Sequence, residues 1–293
     1  MSKDDKDECR VVLLGKTGAG KSSLGNTFLG LEAFEVGRGL SSGTENCQFA
    51  DTLIEGVNLV VVDTPGLCDT NKTEQEVLRE VSKSVAVAKP GPHVILMVLR
   101  CDGRFTSEEY TAYITLKGMF GHDFCKFLFL VFVGIDQITG NPDERQSALE
   151  SMIHEKSPPT LQELISDSSG RYFAVDNKAQ PEDRRQQAKD LLSRIQELIK
   201  KNGGRHFSNK LCEDIGRDVE PMILRRMKQD NVTRADATRT VRQDIVEENV
   251  LLDILKNWVK VIGKALEPVF EQVIKIASEK GLKLMQEKQC SVM

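Results

Sequence analysis

A glycine-rich segment near the start of the chain has the composition of a phosphate-binding loop. Residues 15–22 fit the pattern G-x-x-x-x-G-K-S/T and stand between a predicted strand and a predicted helix. In such a loop the backbone N–H groups face phosphate oxygens, Lys21 neutralises the β and γ charges, and the Ser22 hydroxyl can ligate Mg²⁺. The predicted nucleotide-binding residues here are Gly15, Lys16, Thr17, Gly18, Ala19, Gly20, Lys21, Ser22 and Ser23.

A second motif, Asp63-Thr64-Pro65-Gly66, ends a later apolar run. Asp63 is placed to hold Mg²⁺ through water, and the N–H of Gly66 can contact a γ-phosphate. Taken alone, D-x-x-G is more often a plain turn. Because it follows a phosphate-binding loop and ends a strand, we interpret it as the metal-side switch of a nucleotide-binding site.

Apolar runs that alternate with helical patterns must position these motifs. They predict an α/β fold, with a mostly parallel sheet flanked by helices. The predicted strands are 11–14, 58–62, 94–99, 127–133 and 172–175, and the predicted helices start near 21 and cover 73–88, 107–119, 142–155 and 181–201. The third of these helices is predicted to start with Ser107 as its N-cap, without a capping-box partner.

The alternation stops at Gly203-Gly204, so we predict a nucleotide-binding domain over 1–202 and a C-terminal helical extension over 203–293. An apolar stripe from Leu251 to Val269 follows at helical spacing. Two interpretations stay open for it: a helix face packed on its own domain, or a surface for a partner or membrane.

The amino-acid composition argues against several classes of function. With 40 Lys and Arg against 44 Asp and Glu, the net charge is −4, which gives no basic footprint for nucleic acid. The seven cysteines contain no C-x-x-C pair, and the polar start lacks a signal peptide, so we expect a reducing, cytoplasmic location. The four histidines are far apart in sequence, and none has a Cys or carboxylate at ligand spacing. Metal binding beyond Mg²⁺ is therefore not expected.

Together these motifs resemble one family closely. The resemblance rests on the loop continuing through Asn26, on 42–48 and 63–67, on the box from Gly91 to Glu109, and on 171–179. These segments are similar to the GIMAP (GTPase of immunity-associated protein) family, septin-like GTPases of the paraseptin group. The resemblance covers about residues 9–212 and implies a P-loop GTPase domain that binds GTP and GDP with Mg²⁺, self-associates, and works at intracellular membranes.

The resemblance also implies roles for single residues. Thr44 would be the switch threonine that ligates Mg²⁺ and senses the γ-phosphate, which makes Ser22, Thr44 and Asp63 the metal set. Asp136 would accept hydrogen bonds from guanine N1 and N2, and Asn177 would complete the base contact together with Asp176. This chain departs from the family at Val133-Gly134-Ile135, where a hydroxyl and a long side chain over the base are lost.

Position 67 is Leu, where Ras-type GTPases place a water-positioning Gln. Slow intrinsic hydrolysis is therefore expected, with Lys21, Thr44, Gly66 and Arg104 as the catalytic set. Arg104 would act in trans from a second copy docked on the nucleotide face; alternatively it is a solvated arginine or pairs with Glu108. A GTP-loaded scaffold that does not turn over is the second hypothesis, and a P-loop ATPase or nucleotide kinase is a third.

The chain ends Cys290-Ser291-Val292-Met293, which has the form of a prenylation signal. One isoprenoid gives only reversible membrane binding, so nearby lysines would have to add attraction to an anionic leaflet. We therefore expect a peripheral protein on the cytosolic face of a membrane, anchored through Cys290.

Overall fold

The computed structural model describes residues 8–36, 44, 46–66, 74–250 and 254–264. Its strands are β1 (Glu8–Leu14), β2 (Gln48–Ile54), β3 (Val57–Asp63), β4 (Val94–Arg100), β5 (Leu128–Val133) and β6 (Tyr172–Val175). Its α-helices are α1 (Lys21–Leu29), α2 (Glu74–Val87), α3 (Ser107–Phe120), α4 (Arg145–Lys156), α5 (Pro159–Asp167), α6 (Pro181–Lys201), α7 (Lys210–Asp230) and α8 (Arg234–Val246), and residues 254–264 are also helical.

The six strands form one sheet in the order β2-β3-β1-β4-β5-β6. All neighbouring pairs are parallel except β2 with β3, so the predicted mostly parallel sheet is confirmed. β2 was not predicted, because its sequence has little apolar character and every residue in it is at least partly exposed. A tight turn at Glu55-Gly56, with φ of 48° and 78°, joins it to β3 as an edge hairpin.

All five predicted helices are present, but two details were wrong. The N-cap of α3 is Thr106, one residue before the predicted Ser107. The Thr106 hydroxyl accepts from the Glu109 N–H, while the Glu109 carboxylate accepts from the Thr106 N–H at 2.9 Å, so a capping box does form. Helix α5 was missed because it follows α4 after only two residues and begins at Pro159, which occupies the first helical turn.

Helices cover both faces of the sheet. On one face α1 and α6 pack through side chains such as Phe28, Leu191 and Ile195. On the other face α2, α3 and α7 share an apolar core with α8 and with residues of the 254–264 helix. Helices α7 and α8 and residues 254–264, which belong to the predicted extension, therefore share the apolar core on this face of the sheet. The domain boundary at residue 202 stays a prediction. No helix in the described ranges combines the length and apolar character needed to cross a bilayer.

The apolar stripe of the last described helix faces this core. Leu255, Trp258 and Ile262 are buried, with Trp258 and Ile262 each 0% exposed. For these three residues the packing interpretation is confirmed, whereas Leu251, Ala265 and Val269 lie outside the described residues. The Trp258 indole N–H also donates to the Asp218 carboxylate at 2.8 Å.

Replacing Trp258 by alanine is expected to lower the free energy of unfolding by about 3 to 5 kcal/mol, because a buried aromatic side chain is lost and a cavity remains. Urea denaturation of the full chain would measure the change. Lys256, which is exposed on the same helix, is the control, and its replacement by alanine should change stability by less than about 0.5 kcal/mol. Equal stability of the two variants would mean that this helix does not belong to the folded core.

Candidate nucleotide-binding site

The glycine-rich loop joins the carboxyl end of β1 to the start of α1, as the sequence predicts. Gly20 is the N-cap of α1 with a φ of 94°, in the left-handed region that favours glycine. A Cβ on Gly15 would lie 2.6 Å from the carbonyl oxygen of Val98, so that position also excludes a side chain. Helix α1 therefore begins directly after the glycine-rich loop, and its first N–H groups can bind a phosphate group there.

The Lys21 side chain lies across the inside of this loop. Its ammonium donates to the carbonyl oxygens of Gly15 at 3.2 Å and Lys16 at 3.0 Å, and the residue is only 5% exposed. The ammonium is thus held inside the loop, where it can neutralise the charge of a bound phosphate. Ser23 lies in the first turn of the helix and is partly exposed.

The three predicted metal ligands come together beside Lys21. The Ser22 hydroxyl donates to the Asp63 carboxylate at 2.6 Å, the Thr44 hydroxyl donates to the same oxygen at 3.2 Å, and the two hydroxyl oxygens are 2.8 Å apart. The second carboxylate oxygen of Asp63 is buried and has no hydrogen-bond partner among the described residues. Burial raises the pKa of Asp63, against hydrogen bonds from Ser22 and Thr44 that lower it.

This donor set fits Mg²⁺. The ion prefers hard oxygen ligands and one or two carboxylates, and an unpartnered buried carboxylate oxygen is costly without a cation or donor. Ser22, Thr44 and Asp63 would hold the ion, which would neutralise charge on the bound phosphates.

Gly66 lies against the phosphate-binding loop, next to Thr17. A Cβ on Gly66 would lie 2.0 Å from the Thr17 hydroxyl oxygen and 2.4 Å from the Thr17 nitrogen. Only glycine can make this contact, so the D-x-x-G turn packs directly on the phosphate-binding loop. The following residue, Leu67, lies outside the described residues.

Asp136 lies just beyond β5, at the edge of the sheet where the loop is. Its carboxylate accepts from the Lys178 ammonium at 2.9 Å and from the Gln137 amide at 2.5 Å. Burial raises the pKa of Asp136, but these two hydrogen bonds outweigh it and leave the pKa below its usual value. The group is therefore ionised at neutral pH and can accept two donors of a base.

Asn177 follows β6 and lies beside the glycine-rich loop. Its amide nitrogen is 3.8 Å from the position of a Cβ on Gly20, and its amide oxygen is buried without a partner among the described residues. The carboxylate of Asp176, which was expected to share the base contact, is also engaged within the protein. It accepts from the Arg145 guanidinium at 3.1 Å and from the Lys178 N–H at 2.8 Å, so it positions the loop that carries Asn177.

Two contacts of this site were not assigned from the sequence. Lys178 pairs with Asp136, and the Lys16 ammonium lies 3.4 Å from the buried Glu109 carboxylate of the capping box. Lys178 directly follows Asn177 in the segment that resembles the family, so the sequence could have indicated that it lies near the base. The Lys16–Glu109 pair joins segments 93 residues apart, and no spacing in the sequence indicates it.

The exposed Arg104 lies in the loop between β4 and α3. Within the described ranges it forms no ion pair, so the alternative in which it pairs with Glu108 is not observed. The side chain is free to reach a second molecule. Its role in hydrolysis stays a prediction.

One histidine does have potential metal-ligating neighbours in space, although the expectation of no metal beyond Mg²⁺ stays a prediction. His122, Cys125 and Asp167 place one ligand atom each within 4.8 Å of one another. The Asp167 carboxylate already accepts from the Lys117 ammonium at 2.5 Å and from the Tyr113 hydroxyl. Because these residues precede β5 and β6, the cluster lies at the amino ends of the strands, away from the nucleotide motifs.

Known proteins share these motifs. A family model described as the AIG1 family matches residues 9–226. Immune-associated nucleotide-binding protein 10 of Arabidopsis thaliana is 31% identical over 207 residues, which are 70% of this chain and 44% of that protein. Immune-associated nucleotide-binding protein 3 of the same plant is 24% identical over 273 residues, 92% of this chain and 80% of that protein. This chain therefore matches less than half of the length of the first relative.

Among solved structures, Toc33 from Arabidopsis thaliana in complex with GDP and Mg²⁺ is similar over 68% of this chain and 87% of that chain, with 22% identity and a TM-score of 0.47. The family model matches well over half of the chain and spans every described motif of the site. The chain belongs to the AIG1 family, which confirms the family resemblance of its motifs.

Proposed function

We propose that this protein binds GTP and GDP with Mg²⁺ and hydrolyses GTP slowly. The observation that carries the proposal is the convergence of Ser22, Thr44 and Asp63 beside the buried Lys21, with one oxygen of Asp63 still unpartnered. Two relatives from Arabidopsis thaliana are named as nucleotide-binding proteins, which supports it.

Guanine is the proposed base because Asp136 is an ionised acceptor at the base end of the site. Guanine presents two N–H donors on one edge, N1 and N2, and adenine has no matching pair. Guanine can therefore give this carboxylate two charge-assisted hydrogen bonds that adenine cannot, so the site favours guanine. Asn177 adds an amide whose buried oxygen lacks a partner among the described residues.

We further propose that hydrolysis requires a second copy of the chain. Position 67 is Leu, so the residue after the D-x-x-G motif cannot orient water through a side-chain amide. The guanidinium of Arg104, which has no ion pair with any residue that the structure describes, is the group that a partner would supply. The alternative is a GTP-loaded scaffold whose assembly, and not its turnover, is the function.

The mass of the purified protein in each nucleotide state tests this proposal. We expect monomers with GDP and dimers or larger assemblies with a non-hydrolysable GTP analogue, measured by light scattering after size-exclusion chromatography. Assembly without any GTP hydrolysis would favour the scaffold alternative. The same mass in both states would contradict a nucleotide-dependent, self-associating switch.

Membrane attachment through Cys290 is a proposal from the sequence alone, and Cys290 lies outside the described residues. It would place the switch at the cytosolic surface of a membrane.

A further inference from the structure

The buried carboxylate of Glu109 joins two segments of the chain that are far apart in sequence. One of its oxygens accepts from the Thr106 N–H at 2.9 Å and from the Thr106 hydroxyl at 3.2 Å. The other oxygen lies 3.4 Å from the ammonium of Lys16, and the Glu109 side chain is only 4% exposed. A buried carboxylate is costly without a cation, so this ion pair is favoured to stay formed. Glu109 therefore links the start of α3 to the phosphate-binding loop.

Lys16 belongs to the part of the loop that would surround the phosphates. Its carbonyl oxygen accepts from the Lys21 ammonium at 3.0 Å and from the Ala19 N–H at 3.2 Å. The backbone of Lys16 is thus held by the same lysine that would neutralise phosphate charge. Because its side chain pairs with Glu109, the start of α3 has a defined position relative to bound phosphate.

The loop that carries Arg104 joins the end of β4 to the start of α3. At its beginning, the N–H and the thiol of Cys101 donate to the Val133 carbonyl at 2.9 and 3.1 Å. Near its end, Phe105 is partly buried against the apolar core. At its tip, a Cβ on Gly103 would meet no atom within 4 Å. Arg104 thus follows an open tip, and the anchored ends of the loop fix the position of its backbone.

The position of Arg104 relative to its own phosphate-binding loop matters if the residue acts on a second copy. In a symmetric dimer both copies use the same surface, so the place of a residue on one copy fixes its distance to the nucleotide of the other. A group misplaced by about 1 Å can cost about 10²-fold in rate. A contact that fixes the Arg104 loop on the phosphate-binding loop would therefore support hydrolysis across the dimer.

We propose that Glu109 is a positioning residue for GTP hydrolysis, which holds the Arg104 loop on the phosphate-binding loop through its ion pair with Lys16. This inference rests on the proposed function, because it needs Arg104 to act on the nucleotide of a second copy. Glu109 acts through Arg104 and does not itself touch the reacting atoms. Loss of its charge should therefore lower the rate of hydrolysis and leave the affinity for GTP unchanged.

The Glu109→Gln variant separates this role from helix capping. The glutamine amide oxygen can still accept from the Thr106 N–H, so the capping box is kept, whereas the charge that pairs with Lys16 is lost. We expect GTP hydrolysis by the full-length protein at saturating protein concentration to fall by about 10 to 10²-fold. Initial rates would measure this loss, and equilibrium titration with a fluorescent GTP analogue would show unchanged binding.

A double-mutant cycle with Arg104→Ala tests whether Glu109 acts through Arg104. If it does, Glu109→Gln should cause no further loss of rate in a chain that already lacks Arg104, because the group that it positions is gone. A general destabilisation of the nucleotide site would instead lower the rate in both backgrounds.

Asp167→Asn provides the matched control. Asp167 pairs with Lys117 in the last turn of α3, so this variant also removes a carboxylate charge that pairs with a lysine and involves the same helix. The pair lies at the amino ends of the strands, away from the nucleotide motifs, and the variant should hydrolyse GTP at the wild-type rate.

Amide hydrogen exchange tests the position of the loop without any hydrolysis. In the full-length protein without added nucleotide, the amides of residues 101–106 should lose protection in Glu109→Gln and keep it in Asp167→Asn.

A wild-type rate in Glu109→Gln would overturn the proposal, and so would an equal loss of rate in Asp167→Asn. A further loss of rate when Glu109→Gln is added to Arg104→Ala would also overturn it, because Glu109 would then act by another route. If the wild-type chain hydrolyses no GTP at any protein concentration, the proposed function fails and the role of Glu109 in hydrolysis fails with it. Lost protection in Glu109→Gln would even then show that Glu109 holds the loop, so the two failures are distinguishable.

Discussion

Replacing Arg104 by alanine is expected to reduce GTP hydrolysis at high protein concentration by about 10³-fold or more, while GTP binding stays unchanged. An arginine supplied in trans contributes about 10³ to 10⁵ in rate in other GTPases, by stabilising the charge that develops on the transferred phosphoryl group. Arg104 is exposed at the nucleotide edge and unpaired within the described ranges, so its removal breaks no internal contact. Initial rates of GTP hydrolysis would be measured over a range of protein concentrations. GTP binding by the same variants would be measured in parallel.

Two further variants sharpen this test. Arg104→Lys keeps the charge but loses the planar fork of donors, so it should recover only part of the rate. Arg205→Ala removes an exposed arginine beyond the last turn of α6, at the amino-end edge of the sheet, and should hydrolyse normally. A wild-type specific activity that does not depend on protein concentration would favour the scaffold alternative over the trans mechanism.

The Asp136→Asn variant is expected to change the preferred base from guanine to xanthine. Hydrogen bonds to a charged group contribute about 1.5 to 3 kcal/mol each, so losing two acceptor contacts should weaken GTP by about 10² to 10⁴. The Asn amide instead donates, and it matches the carbonyl that xanthine carries in place of the guanine amino group. Competition of GTP and XTP for a bound fluorescent nucleotide would give the ratio.

Asp102 provides a matched control for this variant. Its carboxylate lies beside the same loop, 3.1 Å from the position of a Cβ on Gly134, and pairs with Arg100. Asp102→Asn should keep the preference for guanine. If both variants shift preference equally, the base is not read by Asp136.

The departure at residues 133–135 has a local structural reason. Gly134 has a φ of 83°, and any side chain there would meet the Asp102 carboxylate. The long side chain that the family usually places over the base would therefore be strained at this position. Val133 fills the adjacent space, 3.2 Å from the position of a Cβ on Gly20. Lys178, which pairs with Asp136 at 2.9 Å, is a long cationic side chain at the base end.

The phosphate and metal residues were predictable because their spacing is fixed by a strand, a tight turn and a helix. The sequence pattern therefore located Lys21, Ser22 and Asp63 before any geometry was known. Asp136 and Asn177 needed the family resemblance, because a single carboxylate or amide after a strand has no spacing of its own. The role of Arg145 in holding Asp176 could not be read from the sequence, since α4 brings the two together across 31 residues.

The elements of the fold likewise divide into those that the sequence predicts and those that it does not. Continuous apolar runs identified β1, β3, β4, β5 and β6, because strands buried on both faces have such sequences. The edge strand β2 has only partly buried residues, so no apolar run marked it. The start of α3 was misplaced by one residue because Ser107 and Thr106 are both good N-caps, and only the reciprocal bond from Glu109 decides between them.

The most direct test of the central claim is competition for the nucleotide site itself. Purified full-length protein would be loaded with fluorescent GDP in the presence of Mg²⁺, and GTP or ATP would be added in increasing amounts. Displacement by GTP with at least about 10²-fold preference over ATP is the predicted result, because only guanine pairs with Asp136. Displacement by both nucleotides at the same concentrations would contradict a guanine-specific site.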